Sequence, residues 1–304
     1  MKVAAFLAIL AAIAVSILLV AAGPSEQQVD AAYLQEIEQW HAQRVERLEE
    51  PTGWLSLVGL FWLEQGENRI GSATESAVIL PAGSPAHAGS LLVNEDRLTL
   101  QVAEGVEVLV NGAPPAAQQM IHGDAEDLAD VITVGDLTLL VLARGDRLAV
   151  RIKDPNAETR RTFHGLERFP ISATLRIEAE MTTYDPPRRR KVPTVIGTEV
   201  DYLVPGIVRF TVDGFACELE PVIADPDSRK LFFIFGDATN GKVTYGAGRF
   251  LYSDREQDGT VVLDFNRAVN PPCAFTRYAT CPLPPPQNKL AVRIEAGELR
   301  YGDH

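Results

Sequence analysis

The sequence predicts an all-β protein, and three observations support this prediction. Short apolar segments of alternating pattern recur from about residue 66 to the end of the chain, and turn sequences such as Asn-Gly and Asp-Gly separate them. Glycine and proline are frequent, with 23 and 20 residues. No helical periodicity follows the first fifty residues. We therefore expect two packed β-sandwich or barrel-like domains, preceded by an apolar helix and one amphipathic helix.

The chain begins with an apolar segment that has the composition of an export signal. Lys2 precedes a run over 3–23 whose one polar side chain is Ser16, and VAA at 20–22 is a candidate cleavage site. The run is also close to the roughly 20 residues that span a bilayer. We expect 1–23 to be a signal peptide or a membrane anchor. The rest of the chain would then be exported, as a periplasmic or other extracytoplasmic protein of the cell envelope that is secreted or anchored by residues 3–23, with membrane contact only through this segment.

Residues 24–50 are predicted to form one amphipathic helix. Ser25 is a suitable N-cap, and Tyr33, Ile37 and Trp40 recur at helical spacing. We expect this apolar stripe to dock on the domain that follows, because such stripes most often face a protein core.

Residues 51–153 are predicted to form the N-terminal β-sandwich. A segment that contains Trp54 and Trp62 leads into a first strand, and apolar and polar residues alternate over 106–110 and 137–142. Many short strands separated by regular turns are typical of a sandwich.

This block resembles a forkhead-associated domain, an eleven-stranded sandwich family that binds phosphothreonine. The order of Ile70-Gly71, Ser84-x-x-His87 and Asn111-Gly112 carries the resemblance. The family's phosphate-contacting arginine follows the first glycine, where this chain has Ser72. The resemblance therefore implies the fold and not phosphopeptide activity.

Residues 154–304 are predicted to form a second β domain. Within it, the segment GAGRFLYSDREQDGTVVLDFN predicts a hairpin with its turn near 257–259. Pairing of Ser253 with Thr260 would place Arg249 opposite Asp264 on one face of that hairpin.

A segment rich in proline, asparagine and cysteine, DFNRAVNPPCAFTRYATCPLPP, follows this hairpin, and we expect it to wall a polar pocket. Two alternatives stay open: a purely structural polar cluster, and a hydrolase or transferase that uses Asp264 as base with Arg249 or Asn270 steadying an anion. The expected ligand is small and polar or anionic. The residues expected to bind it are Tyr245, Arg249, Asp264, Asn266, Asn270 and Thr276.

The remaining candidate groups are the cysteines and histidines. Cys273 and Cys281 are close enough in sequence to form a small-loop disulfide after export, and Cys217 is expected to be a free, buried thiol. His164 is a further candidate for a catalytic base, although an ordinary turn histidine is the favoured interpretation.

The five histidines and three cysteines have no metal-site spacing, and nucleotide-binding motifs are absent from the sequence, so we expect no metal or cofactor. The net charge of −13 argues against nucleic acid as a partner.

Three segments resemble domain of unknown function family 1684. They are WLSLVGLFWLEQGENRIGS, FGDATNGKVTYGAGRFL and LDFNRAVNPPCAFTRYATCPLPPPQNKL, of which NPPCAFT and CPLPP are the most specific parts. The resemblance covers nearly all of the mature chain. That family comprises bacterial and archaeal proteins of unknown function, so the resemblance implies a domain layout and no activity.

Overall fold

The computed structural model of this protein describes residues 30–95, 97–125, 128–256 and 259–302. Strands dominate this part of the chain and one long helix precedes them, which confirms the prediction of an all-β protein with an N-terminal helix. The predicted export segment, residues 1–23, lies outside the described residues. Among the helices of the described part, none combines the length and the apolar character that crossing a membrane requires.

The long helix, α1 (Ala31–Glu49), lies within the predicted 24–50 helix. Asp30 caps it, and the Asp30 Oδ1 accepts a hydrogen bond from the Ala32 amide at 3.3 Å. The predicted cap, Ser25, lies outside the described residues.

One face of α1 is buried against the rest of the protein. Ile37 and Leu48 are fully buried, and Tyr33 and Trp40 are half-buried, so the predicted stripe faces inward. The helix also docks on the C-terminal region (residues 154–302) through polar contacts of Tyr33 and Arg44.

The N-terminal sandwich consists of two five-stranded sheets, with orders β1-β10-β9-β8-β6 and β3-β2-β4-β5-β7. All pairings are antiparallel except that of β2 with β3. The strands are β1 (Leu57–Trp62), β2 (Gly66–Gly71), β3 (Val78–Ile79), β4 (Gly89–Asn94), β5 (Arg97–Val102), β6 (Val108–Val110), β7 (Gln119–Met120), β8 (Val131–Val134), β9 (Leu137–Arg144) and β10 (Arg147–Lys153).

Alternating side chains of these strands fill the space between the two sheets. Along β9, Leu137, Leu139 and Val141 are buried while the residues between them are more exposed. Ile132 and Leu91 belong to the same apolar cluster. The strand alternation read from the sequence is therefore the pattern that builds this core.

The C-terminal region contains a four-stranded sheet of order β13-β12-β11-β16 and a two-stranded sheet of β14 and β15. Its core is rich in aromatic side chains, among which Phe233, Phe235 and Phe265 are fully buried. The elements are α2 (Glu158–Arg161), β11 (Arg176–Pro193), β12 (Glu199–Val212), β13 (Phe215–Leu219), β14 (Lys230–Phe235), β15 (Arg249–Asp254) and β16 (Thr260–Asp264).

The predicted hairpin of β15 with β16 is wrong. β15 pairs with β14, which places Phe235 opposite Arg249, and β16 pairs with β11, which places Arg176 opposite Asp264. The physical reason is that each strand forms a longer hydrogen-bonded ladder with another strand. The apolar β14 gives β15 a six-residue ladder whose side chains enter the aromatic core. Among the described residues, β15 and β16 are linked by one bridge, Arg255 to Val261, and by the hydrogen bonds of Ser253 Oγ to the Val262 carbonyl and of the Glu256 amide to the Thr260 carbonyl.

Candidate functional site

A cavity of about 280 Å³ lies where α1, the N-terminal sandwich and the C-terminal region meet. Arg44 of α1, Arg144 of β9 and Arg151 of β10 line it, together with part of the Pro- and Cys-rich segment. Three guanidinium groups around one small cavity concentrate positive charge in a chain whose net charge is −13. Such a concentration favours an anion.

Two of the three arginines are paired with carboxylates. Arg44 Nε lies 3.1 Å from Glu298 Oε1, and Arg44 Nη2 donates to the Asn270 carbonyl at 3.2 Å. Arg144 Nη1 lies 2.8 Å from Asp124 Oδ2. These contacts hold both arginines in place at the cavity wall.

Arg151 is buried and has no ion pair among the described residues. The residue is 7% exposed, and its Nε atom finds no hydrogen-bond partner in the described part of the chain. Its Nη2 makes one long contact of 3.5 Å with Thr280 Oγ1, and the guanidinium lies 5.3 Å from the centre of the Trp54 ring. Burial, and then the nearby charge of Arg144, lower the pKa of Arg151 to about 10, so the side chain is charged near pH 7. A buried charge without a partner destabilises a fold, and an anion in the cavity would supply that partner.

Asn270, another residue of the cavity lining, also has a buried side-chain atom without a partner in the described part of the chain. It is 1% exposed; its amide N–H donates to Glu298 Oε2 at 2.7 Å, and its Nδ2 donates to the Leu299 carbonyl at 2.7 Å. Its Oδ1 has no partner among the described residues. Two residues of the cavity lining, Arg151 and Asn270, therefore each contain one buried side-chain atom without a partner among the described residues.

Aromatic side chains complete the wall. Phe232 and Tyr252 stack with ring centres 4.8 Å apart and an angle of 10° between their planes. Tyr252 is 60% exposed and also lines a neighbouring cavity of about 430 Å³, which shares Arg44 and Val269 with the first. The two cavities therefore form one groove along α1.

A larger cavity of about 530 Å³ lies beside β13, at Phe215 and Cys217. Acidic and basic side chains both line it, and none of the buried side-chain atoms without a partner belongs to its lining in the described part of the chain. In the described residues, this cavity therefore lacks the unpaired buried groups that would indicate a bound ligand.

Of the six residues predicted to bind a ligand, Asn270 is the one that lines the arginine cavity. Asp264 instead anchors α1, because it accepts from the Tyr33 hydroxyl at 2.8 Å and from Arg267 Nε at 3.2 Å. Asn266 donates to the Tyr33 oxygen at 2.9 Å and to Asp264 at 3.1 Å. Burial and the hydrogen bond to Asp264 raise the pKa of Tyr33. These residues form a docking cluster for the helix.

Arg249 lies apart from Asp264. Its Nη2 lies 2.7 Å from Asp237 Oδ2 and donates to the Ile294 carbonyl at 2.8 Å, and its Nη1 donates to the Ala296 carbonyl. The side chain is fully buried. The predicted pairing of Arg249 with Asp264 is therefore wrong, and Asp237 takes the place of the predicted partner.

The other predicted residues also have local partners. The Tyr245 hydroxyl donates to the Cys273 carbonyl at 3.0 Å, and Thr276 Oγ1 accepts from the Tyr278 amide at 3.2 Å. His164 is exposed and does not line the arginine cavity.

The two cysteines of the Pro-rich segment are in contact. The Cys273 amide donates to Cys281 Sγ at 3.2 Å, and the Cys281 thiol lowers the pKa of Cys273. Both are free thiols here, so the disulfide stays a prediction. Cys217 is also a free thiol but is only half-buried, because β13 is an edge strand. The residues that the structure describes contain no group of three or more metal-ligating side chains.

The sequence reading missed Arg44, Arg144, Arg151 and Trp54. They come from three separate segments of the chain, and no local motif joins them to Asn270. One signal is visible in hindsight: Arg151 interrupts the apolar strand RLAVRIK at a position that is buried in the fold. A charged residue at a buried strand position needs a partner.

The fold and the cavity define a class of all-β protein with an arginine-lined cavity between two β regions. This chain belongs to the family described as protein of unknown function (DUF1684), whose model matches residues 161–299. The match includes Asn270 and Thr280 and begins after the N-terminal sandwich, whereas the resemblance read from the sequence extended over nearly all of the mature chain.

Two solved structures are similar to parts of this chain. The first is the solution structure of an uncharacterized protein of Haloarcula marismortui, with 33% identity over 48% of this chain and 81% of that chain, and a TM-score of 0.40. The second is the FHA domain of FhaA in complex with the intracellular domain of Rv3910, with 17% identity over 30% of this chain and 96% of that chain, and a TM-score of 0.22. A likeness at this TM-score carries no argument about phosphopeptide binding. None of the curated proteins compared with this chain matches it.

Proposed function

We propose that this is an exported protein that binds a small anionic ligand in the arginine cavity. The observation that carries the proposal is Arg151, a buried cation without an ion pair among the described residues. Three arginines line the cavity; Arg44 is paired with Glu298 and Arg144 with Asp124, which leaves the charge of Arg151 without a counter-charge among the described residues. A carboxylate or phosphate group in the cavity would balance that charge.

The alternative in which Asp264 acts as a base receives no support from the geometry. Both of its oxygens accept hydrogen bonds from side chains that dock α1, and the residue does not line the cavity. We therefore favour binding over catalysis as the function of this site.

The test compares Arg151→Met with Arg147→Met. Arg147 is a suitable control because it lies on the same strand, is exposed, and packs over the Trp62 ring at 4.0 Å, outside the cavity. Binding of citrate, glucuronate and inorganic phosphate is measured by calorimetry for each protein. We expect Arg151→Met to weaken anion binding by about tenfold or more, since charged hydrogen bonds contribute roughly 1.5–3 kcal/mol.

The stability of the ligand-free proteins gives a second readout. Met keeps most of the aliphatic volume of Arg and removes the unpaired charge, so we expect Arg151→Met to be as stable as the wild type or more stable. If Arg151→Met binds these anions as well as Arg147→Met does, the proposal is wrong.

Export rests on the composition of residues 3–23 and is tested separately. An alkaline phosphatase fused after residue 50 should be active. An inactive fusion, together with an active cytoplasmic reporter at the same position, would contradict export.

A further inference from the structure

The arginine cavity is one half of a longer groove, and β15 runs along both halves. Phe250 lines the arginine cavity of about 280 Å³, Tyr252 lines both cavities, and Asp254 lines the neighbouring cavity of about 430 Å³. Four residue steps along the strand separate Phe250 from Asp254, which corresponds to about 13 Å at roughly 3.3 Å per residue. A ligand that fills the groove is therefore elongated.

The antiparallel partner of β15 follows the same course. On β14, Phe232 lies opposite Tyr252 and lines the arginine cavity, and Lys230 lies opposite Asp254 and lines the neighbouring cavity. Residues two apart on a strand point to the same face of the sheet, so Lys230 and Phe232 share the face that borders the groove. The two strands thus place a cation at the far end of the groove from the arginine cavity.

Each half of the groove holds more cations than acidic partners. In the arginine cavity, Arg151 has no counter-charge among the described residues, as set out above. In the neighbouring cavity, Arg47 and Lys230 are exposed and form no ion pair within the described part of the chain. Asp254 is the one acidic residue among the described residues that line this second cavity. One positive charge is therefore left over at each end, and each end favours an anion.

The part of the groove between these two ends is largely apolar or already neutralised. Tyr252 and Val269 line both cavities. Arg44 also lines both, and its charge is balanced by the fully buried Glu298, with 3.1 Å between Nε and Oε1. An apolar chain suits this middle part, because it brings no polar group that would lose its hydrogen bonds to water.

We propose that the groove binds an elongated dianion, with an anionic group at each end and an apolar chain between them, as in a long-chain α,ω-dicarboxylate. One carboxylate lies at Arg151 and the other at Arg47 and Lys230. This inference rests on the proposed function, because it specifies the anion that the arginine cavity takes and adds a second contact in the neighbouring cavity.

The test compares dodecanedioate with 12-hydroxydodecanoate by calorimetry on the full-length protein at low salt. Both acids have an extended twelve-carbon chain, which with C–C bonds of about 1.5 Å is close to the length of the groove, and only the diacid is charged at both ends. We expect dodecanedioate to bind about three- to fivefold more tightly, since ion pairs to exposed cations make small net contributions. Added salt should reduce this ratio, because it screens exposed charges.

Three variants locate the two ends of the ligand. Arg151→Met should weaken both acids and keep their ratio. Lys230→Met should remove most of the preference for the diacid and leave the affinity for 12-hydroxydodecanoate unchanged. Lys242→Met is the matched control, because Lys242 is exposed and lines neither cavity. Asp254→Asn should increase the preference by about two- to threefold, because it removes a negative charge beside the second carboxylate.

The outcomes separate this inference from the proposed function. Equal wild-type affinities for the two acids would overturn the dianion inference and leave anion binding intact, and this comparison needs no variant. A preference for the diacid that persists in Lys230→Met and does not rise in Asp254→Asn would overturn the location of the second carboxylate. Binding of neither acid, while citrate, glucuronate or phosphate binds, would overturn this inference alone. Binding of none of these anions would remove both the proposed function and this inference.

Discussion

At the scale of single residues, Asp264 shows how a polar side chain in a polar segment comes to hold the fold. It is 7% exposed and receives hydrogen bonds from Tyr33 of α1, from Arg267 and from the Asn266 amide. Its two oxygens thus connect the helix to the end of β16. Because Asp264 has this many partners, we expect its substitution to lower the stability of the fold.

Asp264→Ala should lower the free energy of unfolding by about 2–3 kcal/mol, because it leaves Tyr33 and Arg267 without their acceptor in a largely buried cluster. Asp264→Asn should cost less, since it keeps the shape and one acceptor. Urea unfolding measures both changes, with the exposed Glu178→Ala as control, for which we expect a change within about 0.5 kcal/mol. Glucuronate affinity that falls sharply while stability is unchanged would instead place Asp264 in a binding site.

His41 makes stability depend on pH. It is 8% exposed, and burial and the charge of Arg168 lower its pKa from 6.5 to about 4. Since the folded state disfavours the proton, the free energy of unfolding should fall as the pH drops from about 6.5 to 4. The full effect is about 3 kcal/mol, at roughly 1.4 kcal/mol for each pKa unit.

His41→Gln should remove this part of the pH dependence, because glutamine stays neutral. His164→Gln is the matched control, since His164 is exposed and should leave the pH profile unchanged. Denaturant unfolding at pH values between 7 and 4 measures the difference. Identical profiles for wild type and His41→Gln would contradict the prediction.

At the scale of elements, the sequence predicted local pattern well and long-range pairing poorly. The alternation of β9 and the helical stripe of α1 depend on neighbours along the chain, and both are found in the fold. β15 pairs with β14 and β16 pairs with β11 because these strands form longer hydrogen-bonded ladders with them than β15 and β16 form with each other. The sequence next to each strand does not reveal the length of these alternative ladders. The same holds for the site: Asn270 stood out in a polar segment, whereas Arg151 becomes unusual only when its surroundings are known.

The segment between Cys273 and Cys281 is an element with its own testable property. With Cys281 Sγ 3.2 Å from the Cys273 amide, we expect oxidised glutathione to convert the pair to a disulfide. The short loop should limit the gain in unfolding free energy to about 2 kcal/mol. Intact mass after alkylation should show one remaining thiol per chain, on Cys217.

Cys217→Ser is the control for this measurement and should still form the bond, whereas Cys273→Ser should not. Three alkylated cysteines after oxidation of the folded wild type would show that the pair cannot close.

At the scale of the whole molecule, α1 belongs to the architecture of the C-terminal region although the N-terminal sandwich separates them in sequence. Arg44 pairs with the fully buried Glu298, and Glu38 pairs with Arg168 at 2.5 Å. Burial raises the pKa of Glu298, and Arg44 is the counter-charge that it touches. Removal of the helix would leave Glu298 without Arg44 and Asp264 without Tyr33, and would expose both carboxyl groups.

A chain that begins at residue 51 should therefore be less stable by several kcal/mol than a chain that begins at residue 30, since it loses the counter-charge of the buried Glu298, the Tyr33 hydrogen bond to Asp264 and the apolar stripe. Circular dichroism during urea unfolding compares the two. Equal midpoints would mean that the helix packs on the surface without contributing to stability.

The location of the arginine cavity affects how the two β regions unfold. Arg144 and Arg151 belong to one β region, and Asn270 and Thr280 belong to the other, so an occupant of the cavity is in contact with both at once. Such an occupant acts as a crosslink that must be released before either region can unfold alone. We expect scanning calorimetry of the empty protein to show two overlapping heat-absorption peaks, and glucuronate to merge them into one. An occupant that shifts one peak and leaves the other in place would show that the two regions do not share it.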